Sequence, residues 1–284
     1  MSEIARLDRG IVRIAGEDAQ KLLHDTLTAN FRSPFDGRGK WWALLTPQGK
    51  VMFAGLVAEH DGAYWFELPM ADTAAFVKRM TLYRLRAKVE IEDLSESHAL
   101  GWSAEFPTTS SGFTYADGRA EGLGMRVIAP MAEAEAWTGN AAAFEAARIR
   151  AGIIDVGVDV PQSDVFPHDI GMDQTGSIDF RKGCFVGQEV VSRMQHKSKL
   201  RKRPVLVHAE VELTPGDTVT SADKPVGEIL AAHGGHGVMV ARLDRVKDAL
   251  ACTIGDVAVS LEVPGWASYD FDDSPAGETS DQEG

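Results

Sequence analysis

The sequence predicts an α+β fold that ends in a small antiparallel β-barrel. A chain of 284 residues is long enough to bury a large core and to fold as two or three modules. Strand-like and helix-like patterns alternate before Pro204, whereas the residues after it form short apolar runs separated by Pro-Gly, Gly-Gly and Asp-containing turns. We therefore predict an α+β region of two interleaved subdomains at 1–204, a barrel at 205–268 and an acidic, disordered tail at 269–284.

The elements of the first region follow from their local patterns. Apolar residues at helical spacing predict helices near 17–27, 70–86 and 140–153, the last with Asn140 as N-cap and Gly152 just past its end. Alternation predicts strands at 10–16, 41–69, 87–95 and 98–105, with turns at Pro47-Gln-Gly49 and Asp61-Gly62, and a hairpin around 116–118. Residues 154–180 contain many Asp, Gly and Pro and no regular pattern, which is typical of a functional loop.

Composition indicates a globular protein without a membrane span or a disulfide framework. The 44% hydrophobic and 25% charged residues are those of an ordinary globular protein. Since the N-terminal residues carry charges throughout and no window approaches the ~20 apolar residues of a membrane span, we predict a cytoplasmic protein without membrane contact. The two cysteines, Cys184 and Cys252, lie far apart and form no CxxC, which argues against a disulfide framework and a four-cysteine metal site.

The charge is strongly acidic but unevenly distributed. A net charge of −13 disfavours broad, non-specific binding of nucleic acid. One basic strip, residues 181–203, nevertheless has a single acid, Glu189, among its cations. The cations are Arg181, Lys182, Arg193, Lys197, Lys199, Arg201, Lys202 and Arg203. The strip is either a solvated face or a binding surface, and it lacks the interleaved aromatic residues of a base-stacking platform.

The octapeptide "KGCFVGQE", Lys182 to Glu189, contains the more informative cysteine. Glycines at 183 and 187 allow sharp turns around Cys184, and the helical pattern that starts after Gly187 places the thiol near a helix N-terminus. That position and the neighbouring Lys182 both favour a thiolate, which suits a nucleophile, a redox-sensitive thiol or a soft metal ligand. The alternative is a buried, apolar cysteine that only fills space. The remaining motif residues are Gly183, Phe185, Gly187, Gln188 and Glu189.

This octapeptide closely resembles the signature of the YgfZ family. The match includes "RIRAGI…DVFPHDIGMDQTGSIDFR" before it and "VVSRMQHKSKLRKRPV" after it, and it extends more loosely to the N-terminal region and the predicted barrel. The resemblance implies a fold like that of the glycine-cleavage T-protein, tetrahydrofolate as ligand, and a role in iron–sulfur cluster assembly or repair that supports tRNA modification indirectly. It also implies Cys184 as the functional thiol assisted by Lys182, and assembly proteins or cluster-containing client enzymes as partners.

The departures from the T-protein pattern argue against aminomethyl transfer. The T-protein has acidic residues on the strand that here reads Phe53-Ala54-Gly55, and a glutamate where this chain has Arg150. Because arginine cannot take over the acid–base role of a carboxylate, we expect no stand-alone aminomethyltransferase. A folate-dependent one-carbon transferase remains the alternative function.

A folate ligand would need two kinds of side chain. Its flat pterin has donors that a carboxylate can accept in pairs, and its glutamate tail is anionic. Asp164, Asp169 and Asp173 are candidates for the pterin, and Arg193 is a candidate for the tail. Each Asp has the alternative role of stabilising a turn. We interpret His233-Gly-Gly-His236 as a barrel turn and predict no metal site.

Overall fold

The protein is described by a computed structural model that covers residues 3–197 and 200–271, without the side chain of Lys197. Two antiparallel sheets and a barrel contain its strands. The first sheet has the order β3-β4-β5-β2-β6 and the second β1-β7-β9-β8. Their strands are β1 Ala5–Leu7, β2 Arg9–Ala15, β3 Lys40–Leu45, β4 Val51–His60, β5 Ala63–Pro69, β6 Glu90–Asp93, β7 His98–Ser103, β8 Phe113–Ala116 and β9 Met125–Pro130.

The barrel is closed by six antiparallel strands in the order β10-β13-β12-β11-β14-β15. These strands are β10 Lys202–His208, β11 Thr218–Ser221, β12 Lys224–His233, β13 His236–Arg242, β14 Cys252–Ile254 and β15 Val257–Glu262. The predicted α+β class and C-terminal barrel are thus confirmed. Tyr269, the first residue assigned to the tail, instead packs in the barrel core and donates its hydroxyl to Pro204 O at 2.7 Å; residues 272–284 lie outside the described residues.

Five α-helices connect these layers within the described ranges. They are α1 Ala19–Thr26, α2 Thr73–Arg84, α3 Met131–Ala134, α4 Ala141–Arg150 and α5 Gln188–Lys197. The caps of α4 are as predicted, since the Asn140 side chain accepts from Ala142 N at 2.9 Å and Gly152 has φ +70°. Residues 154–180 form the expected loop, which contains one 3₁₀ turn, Pro167–Ile170, and an isolated bridge between Val156 and Val160.

The first sheet contains a tight hairpin and packs against other elements on both faces. Asp61 and Gly62 both have positive φ, +48° and +70°, and join β4 to β5 as the sequence predicts for a tight hairpin. One face of the sheet carries Trp42 and Phe66, whose rings pack against Phe76 of α2, and α1 lies over the same face. The opposite face belongs to the core shared with the second sheet, α4 and the 154–180 loop. The first sheet is therefore buried on both faces.

An ionic junction connects the two sheets with α4 and the loop. Its side chains lie almost completely inside the protein. They are Arg9, Glu67, Asp117, Arg119, Arg126, Arg148, Asp155 and Asp159, and the four cations balance the four anions. Buried charges of this number are tolerated only when each has a close opposite partner.

Asp117 is the most connected anion of the ionic junction. Its carboxylate accepts from Arg119 Nη2 and Arg126 Nη2, both at 2.9 Å. Burial alone would raise the pKa of Asp117, but the two guanidinium groups outweigh burial and lower it. Arg119 also donates to Asp155 at 2.8 Å, and Arg148 donates to Asp159 at 2.5 Å. The junction thus joins strands, helix and loop through paired charges.

Candidate functional site

The signature loop, residues 181–187, presents Cys184 to solvent. The thiol is exposed, whereas the next side chain, Phe185, is buried and packs in the shared core. The prediction of an accessible thiol therefore agrees with the geometry, and the alternative of a buried filler does not. Cys252, by contrast, is buried in the barrel.

Two glycines give the loop its shape. Gly183 has φ +107°, a conformation that L side chains rarely adopt, although a Cβ there would meet no atom within 4 Å. Gly187 has φ +78°, and a Cβ would lie 2.6 Å from Thr46 O. Glycine is therefore needed at 183 for its backbone conformation, and at 187 also for close contact with the turn after β3.

A reciprocal clasp holds the loop against α1. His24 Nε2 lies 3.0 Å from Lys182 O, and because a carbonyl only accepts, Nε2 carries the hydrogen. In return, Lys182 Nζ donates to His24 O, and Nζ also lies 4.9 Å from the centre of the Phe185 ring. Burial lowers the pKa of Lys182 to about 8, against the opposing effect of Asp25 and Asp179. The two backbone carbonyls are thus each satisfied by the other residue's side chain.

Removing the His24 side chain should loosen this clasp. In His24→Ala, Lys182 O loses its donor, so we expect the free energy of unfolding to fall by about 1–2 kcal/mol. Amide hydrogens of residues 181–187 should exchange faster, which exchange mass spectrometry can measure peptide by peptide. Lys21→Ala is the control, since Lys21 is an exposed residue of the same helix whose ammonium pairs with Asp25. Equal exchange in both variants would contradict the clasp.

Helix α5 follows the loop and contributes one buried side chain to the core. Val191 is fully buried, while the predicted motif residue Glu189 and the predicted folate residue Arg193 lie on the outer surface. Arg193 Nη2 donates to Glu189 Oε1 at 2.6 Å, and their side chains are 60% and 85% exposed. Such a pair contributes little to stability. Arg193 can therefore leave Glu189 and bind an outside anion with little loss of stability.

The predicted pterin carboxylates differ in their availability. Asp173 accepts from Arg203 Nη1 at 2.7 Å and from Nη2 at 3.0 Å, so both of its oxygens are engaged in a buried pair. Asp169 is buried and uses one oxygen to accept from Phe166 N at 3.0 Å; burial raises its pKa. Asp164 is exposed. Asp173 thus has a structural partner that its sequence context did not indicate, and of the two buried carboxylates only Asp169 keeps an oxygen free of side-chain partners within the described residues.

The basic strip is not a continuous cationic surface. Arg203 is buried against Asp173, and Arg193 is paired with Glu189. Arg181, Arg201 and Lys202 are exposed, whereas residues 198 and 199 and the side chain of Lys197 lie outside the described part. Among the described residues the strip therefore lacks Arg203 as a surface cation, and its role as a solvated face or a binding surface stays open.

Two further expectations concern a metal site and a membrane span. Within 3–197 and 200–271, no group of three or more His, Cys, Asp and Glu side chains is arranged to hold a metal ion. His233 and His236 face each other across the β12–β13 hairpin, so the barrel-turn interpretation is confirmed. Among the described helices, none has the length and apolar character needed to cross a membrane.

Comparison with known proteins finds similar sequences. The profile described as "CAF17, C-terminal beta-barrel domain" matches residues 201–269. An "Iron-sulfur cluster assembly factor IBA57 homolog, mitochondrial" of Chaetomium globosum is 28% identical over 250 residues, which cover 74% of this chain and 57% of that protein. The homolog of the same name from Pyricularia oryzae is 26% identical over 292 residues, 89% of this chain and 74% of that protein. The chain is thus similar to proteins of the IBA57/CAF17 (YgfZ) family.

Comparison with solved structures finds the same fold in an aminomethyltransferase. The glycine cleavage system aminomethyltransferase T from Bartonella henselae superposes with a TM-score of 0.75 at 13% identity, covering 93% of this chain and 86% of that one. At this identity the likeness concerns the fold alone, and it confirms the predicted T-protein-like architecture. The chain spans 57% of the length of the Chaetomium globosum protein and 74% of that from Pyricularia oryzae.

The positions at which this chain departs from the T-protein pattern carry no carboxylate. Phe53 is buried, with its ring 5.8 Å from that of Phe76. Ala54 is buried in the shared core, and a Cβ on Gly55 would lie 1.8 Å from Glu67 O. Arg150 ends α4 with its side chain exposed. None of these four positions supplies an acid.

Sequence reasoning missed His24 and the whole ionic junction. His24 lies in an ordinary helical pattern, "KLLHDTL", 158 positions from Lys182. Arg9 is 58 positions from Glu67 and 146 from Asp155. A signal was available in one place: Asp117 and Arg119 occur in a turn-like segment, "ADGRAEG", inside an otherwise apolar hairpin. Charges at such a position are a hint of pairing with distant partners.

Proposed function

We propose that this protein binds folate and acts in iron–sulfur cluster assembly or repair, with Cys184 as its functional thiol. The observation that carries the proposal is the exposed Cys184 on a loop that is fixed on both sides, by the His24–Lys182 clasp and by the buried Phe185. The two similar proteins are named iron–sulfur cluster assembly factors. An effect on tRNA modification then follows indirectly, through enzymes that need a cluster.

The number of thiols favours transient handling of a cluster. Cys252 is buried in the barrel, so Cys184 is the one exposed thiol of the two in the chain. A cluster usually takes four protein ligands, so the remaining ligands would come from another protein. The proposed partners are therefore assembly proteins or cluster-containing client enzymes, and the cluster is cargo.

Tetrahydrofolate is the ligand that we propose for the α+β region. The T-protein-like fold supports this, and Asp169 fits as the carboxylate that accepts pterin donors because one of its oxygens is not used by Phe166 N. Asp173 would first have to leave Arg203. Arg193 is exposed and fits the anionic tail better than the pterin.

The folate proposal is tested by calorimetric titration of tetrahydrofolate. We expect Asp169→Asn to bind about tenfold more weakly than the natural chain, since a neutral amide cannot replace the charged acceptor. Asp164→Asn, an exposed neighbour in the same loop, is the matched control and should bind normally. If both variants bound tetrahydrofolate normally, Asp169 would not be part of the site. If the natural chain gave no heat of binding, folate would not be its ligand.

The alternative is a folate-dependent one-carbon transferase, which the fold likeness favours. The apolar residues at 53–55 and the exposed Arg150 speak against it, because no acid or base stands there. Incubation with tetrahydrofolate and methylated amine donors decides between the two functions. Sustained formation of product would make transfer the better assignment.

Two further assignments remain proposals with simple tests. We propose no direct tRNA binding, because Arg203 of the basic strip is buried against Asp173 and the net charge of −13 disfavours nucleic acid; retention of tRNA at low salt that weakens steeply with salt would contradict this. We also propose a cytoplasmic location, although both relatives are named mitochondrial. Cell fractionation with an antibody against the chain tests it.

A further inference from the structure

The C-terminal half of α2 and the turn after it carry several cations that have no ion-pair partner among the described residues. Residues 78–88 contain five cations and no acid in a protein of net charge −13. Lys88 pairs with Glu17 at 2.7 Å, and Arg84 donates to Val89 O at 3.3 Å. Within the part of the chain that the structure describes, no ion pair involves the other three, which are Lys78, Arg79 and Arg86.

Two leucines are exposed among these cations. Leu82 is 60% exposed and Leu85 is 86% exposed, while Phe76 and Met80 of the same helix are fully buried on its inner side. The helix thus meets the core with one face and shows apolar side chains to solvent on another. Single exposed leucines are common, but two that are three positions apart and surrounded by unpaired cations form a distinct surface.

The backbone at Leu85 gives an independent reason to assign a role to its side chain. Leu85 follows the last residue of α2 with φ +49° and ψ −108°. Helices usually place glycine in a positive-φ conformation at this point, because a Cβ is strained there. An exposed leucine brings the fold almost no packing in return for that strain. Strained backbone that is kept in a protein is concentrated at functional positions.

We propose that the α2 patch, formed by Lys78, Arg79, Leu82, Leu85 and Arg86, is a docking surface for an acidic protein. The partner would present an apolar side chain between Leu82 and Leu85, surrounded by carboxylates that pair with the three free cations. Such a combination of an apolar anchor and a charged rim is typical of protein–protein recognition.

The size and surroundings of the patch favour a protein over RNA or a membrane. The 12 residues of α2 span about 18 Å, and the rest of this chain is acidic. Phosphate backbones and anionic bilayers extend well beyond that length, and the net charge of −13 disfavours their approach to the chain as a whole. The aromatic residue beside the patch, Tyr83, is half-buried and does not provide an open platform for base stacking. A protein partner can make a contact no larger than the patch.

The test uses the full chain with p-benzoylphenylalanine in place of Thr81, an exposed residue beside the patch. Ultraviolet cross-linking in the cells that naturally make the protein is followed by nuclease treatment and mass spectrometry of the adduct. We expect a protein adduct whose linked peptide contains several Asp or Glu residues around an apolar residue. Arg79→Glu with Arg86→Glu should lower its yield about tenfold, whereas Lys224→Glu with Lys247→Glu, the same charge change on the barrel, should not.

Leu85→Gly separates docking from folding. It relieves the positive-φ strain, so Tm should stay equal or rise, yet the adduct yield should fall severalfold because the apolar anchor is lost. An adduct with RNA, with lipid or with a second copy of this chain, or a yield that the charge reversal leaves unchanged, would overturn the proposal. The inference goes beyond the proposed function, since it uses neither folate nor Cys184 and its outcome does not depend on theirs.

Discussion

Replacing Asp117 with asparagine should lower the free energy of unfolding by about 3–5 kcal/mol, the largest effect on stability that we expect for any single change. Asparagine keeps the shape of the side chain but removes the negative charge that Arg119 and Arg126 share at 2.9 Å. Both guanidinium groups are buried, so they cannot gain water in exchange. For a chain of this length the loss corresponds to a decrease in Tm on the order of 10 °C, which calorimetry measures directly.

Asp244→Asn is the matched control for that experiment. Asp244 also pairs with an arginine, Arg242, at 2.7 Å, but both side chains are partly exposed. Solvent screens this pair, so we expect a loss of at most about 1 kcal/mol. If both variants lost the same stability, burial of the ionic junction would not be the reason for its importance.

Replacing Cys184 with alanine should abolish function in cells without affecting folding. The thiol is exposed and packs in no core, so its removal leaves no cavity and no unpaired buried group. We expect Tm and the affinity for tetrahydrofolate to equal those of the natural chain, as measured by thermal unfolding and by calorimetric titration. Loss of function would then report on sulfur chemistry.

Thiol counting provides the control. Alkylation of the native chain should modify one thiol, and alkylation of Cys184→Ala should modify none, because Cys252 is buried in the barrel. Cys184→Ser extends the comparison, since it keeps the size of the side chain but not the nucleophilic sulfur. A lower Tm in either variant would show that Cys184 contributes to the fold and would remove the separation on which the interpretation depends.

Local patterns were sufficient to predict most of the architecture. The Asp61-Gly62 hairpin, the N-cap at Asn140 and the closed C-terminal barrel each depend on residues that are neighbours in sequence. The connection around 116–118 was predicted less well. β8 ends at Ala116 but β9 begins only at Met125, because Asp117 and Arg119 turn inward to the ionic junction and do not form a tight turn.

The parts that sequence could not predict depend on pairs that are distant in the chain. A charged residue looks exposed in sequence whether or not the fold gives it a partner, so the sequence did not show that Asp173 pairs with Arg203. His24 had no local signal at all, since its role comes from the carbonyl of Lys182. The exposure of Cys184 similarly depends on Phe185 being the side chain that enters the core.

The most direct test of the central claim, that Cys184 is the functional thiol, is complementation of a deletion strain. The natural chain and Cys184→Ala are expressed at equal levels, and the activity of a cluster-containing enzyme is measured in extracts. The natural chain should restore that activity, and Cys184→Ala should leave it at the level of the deletion strain. Full restoration by Cys184→Ala would contradict the assignment.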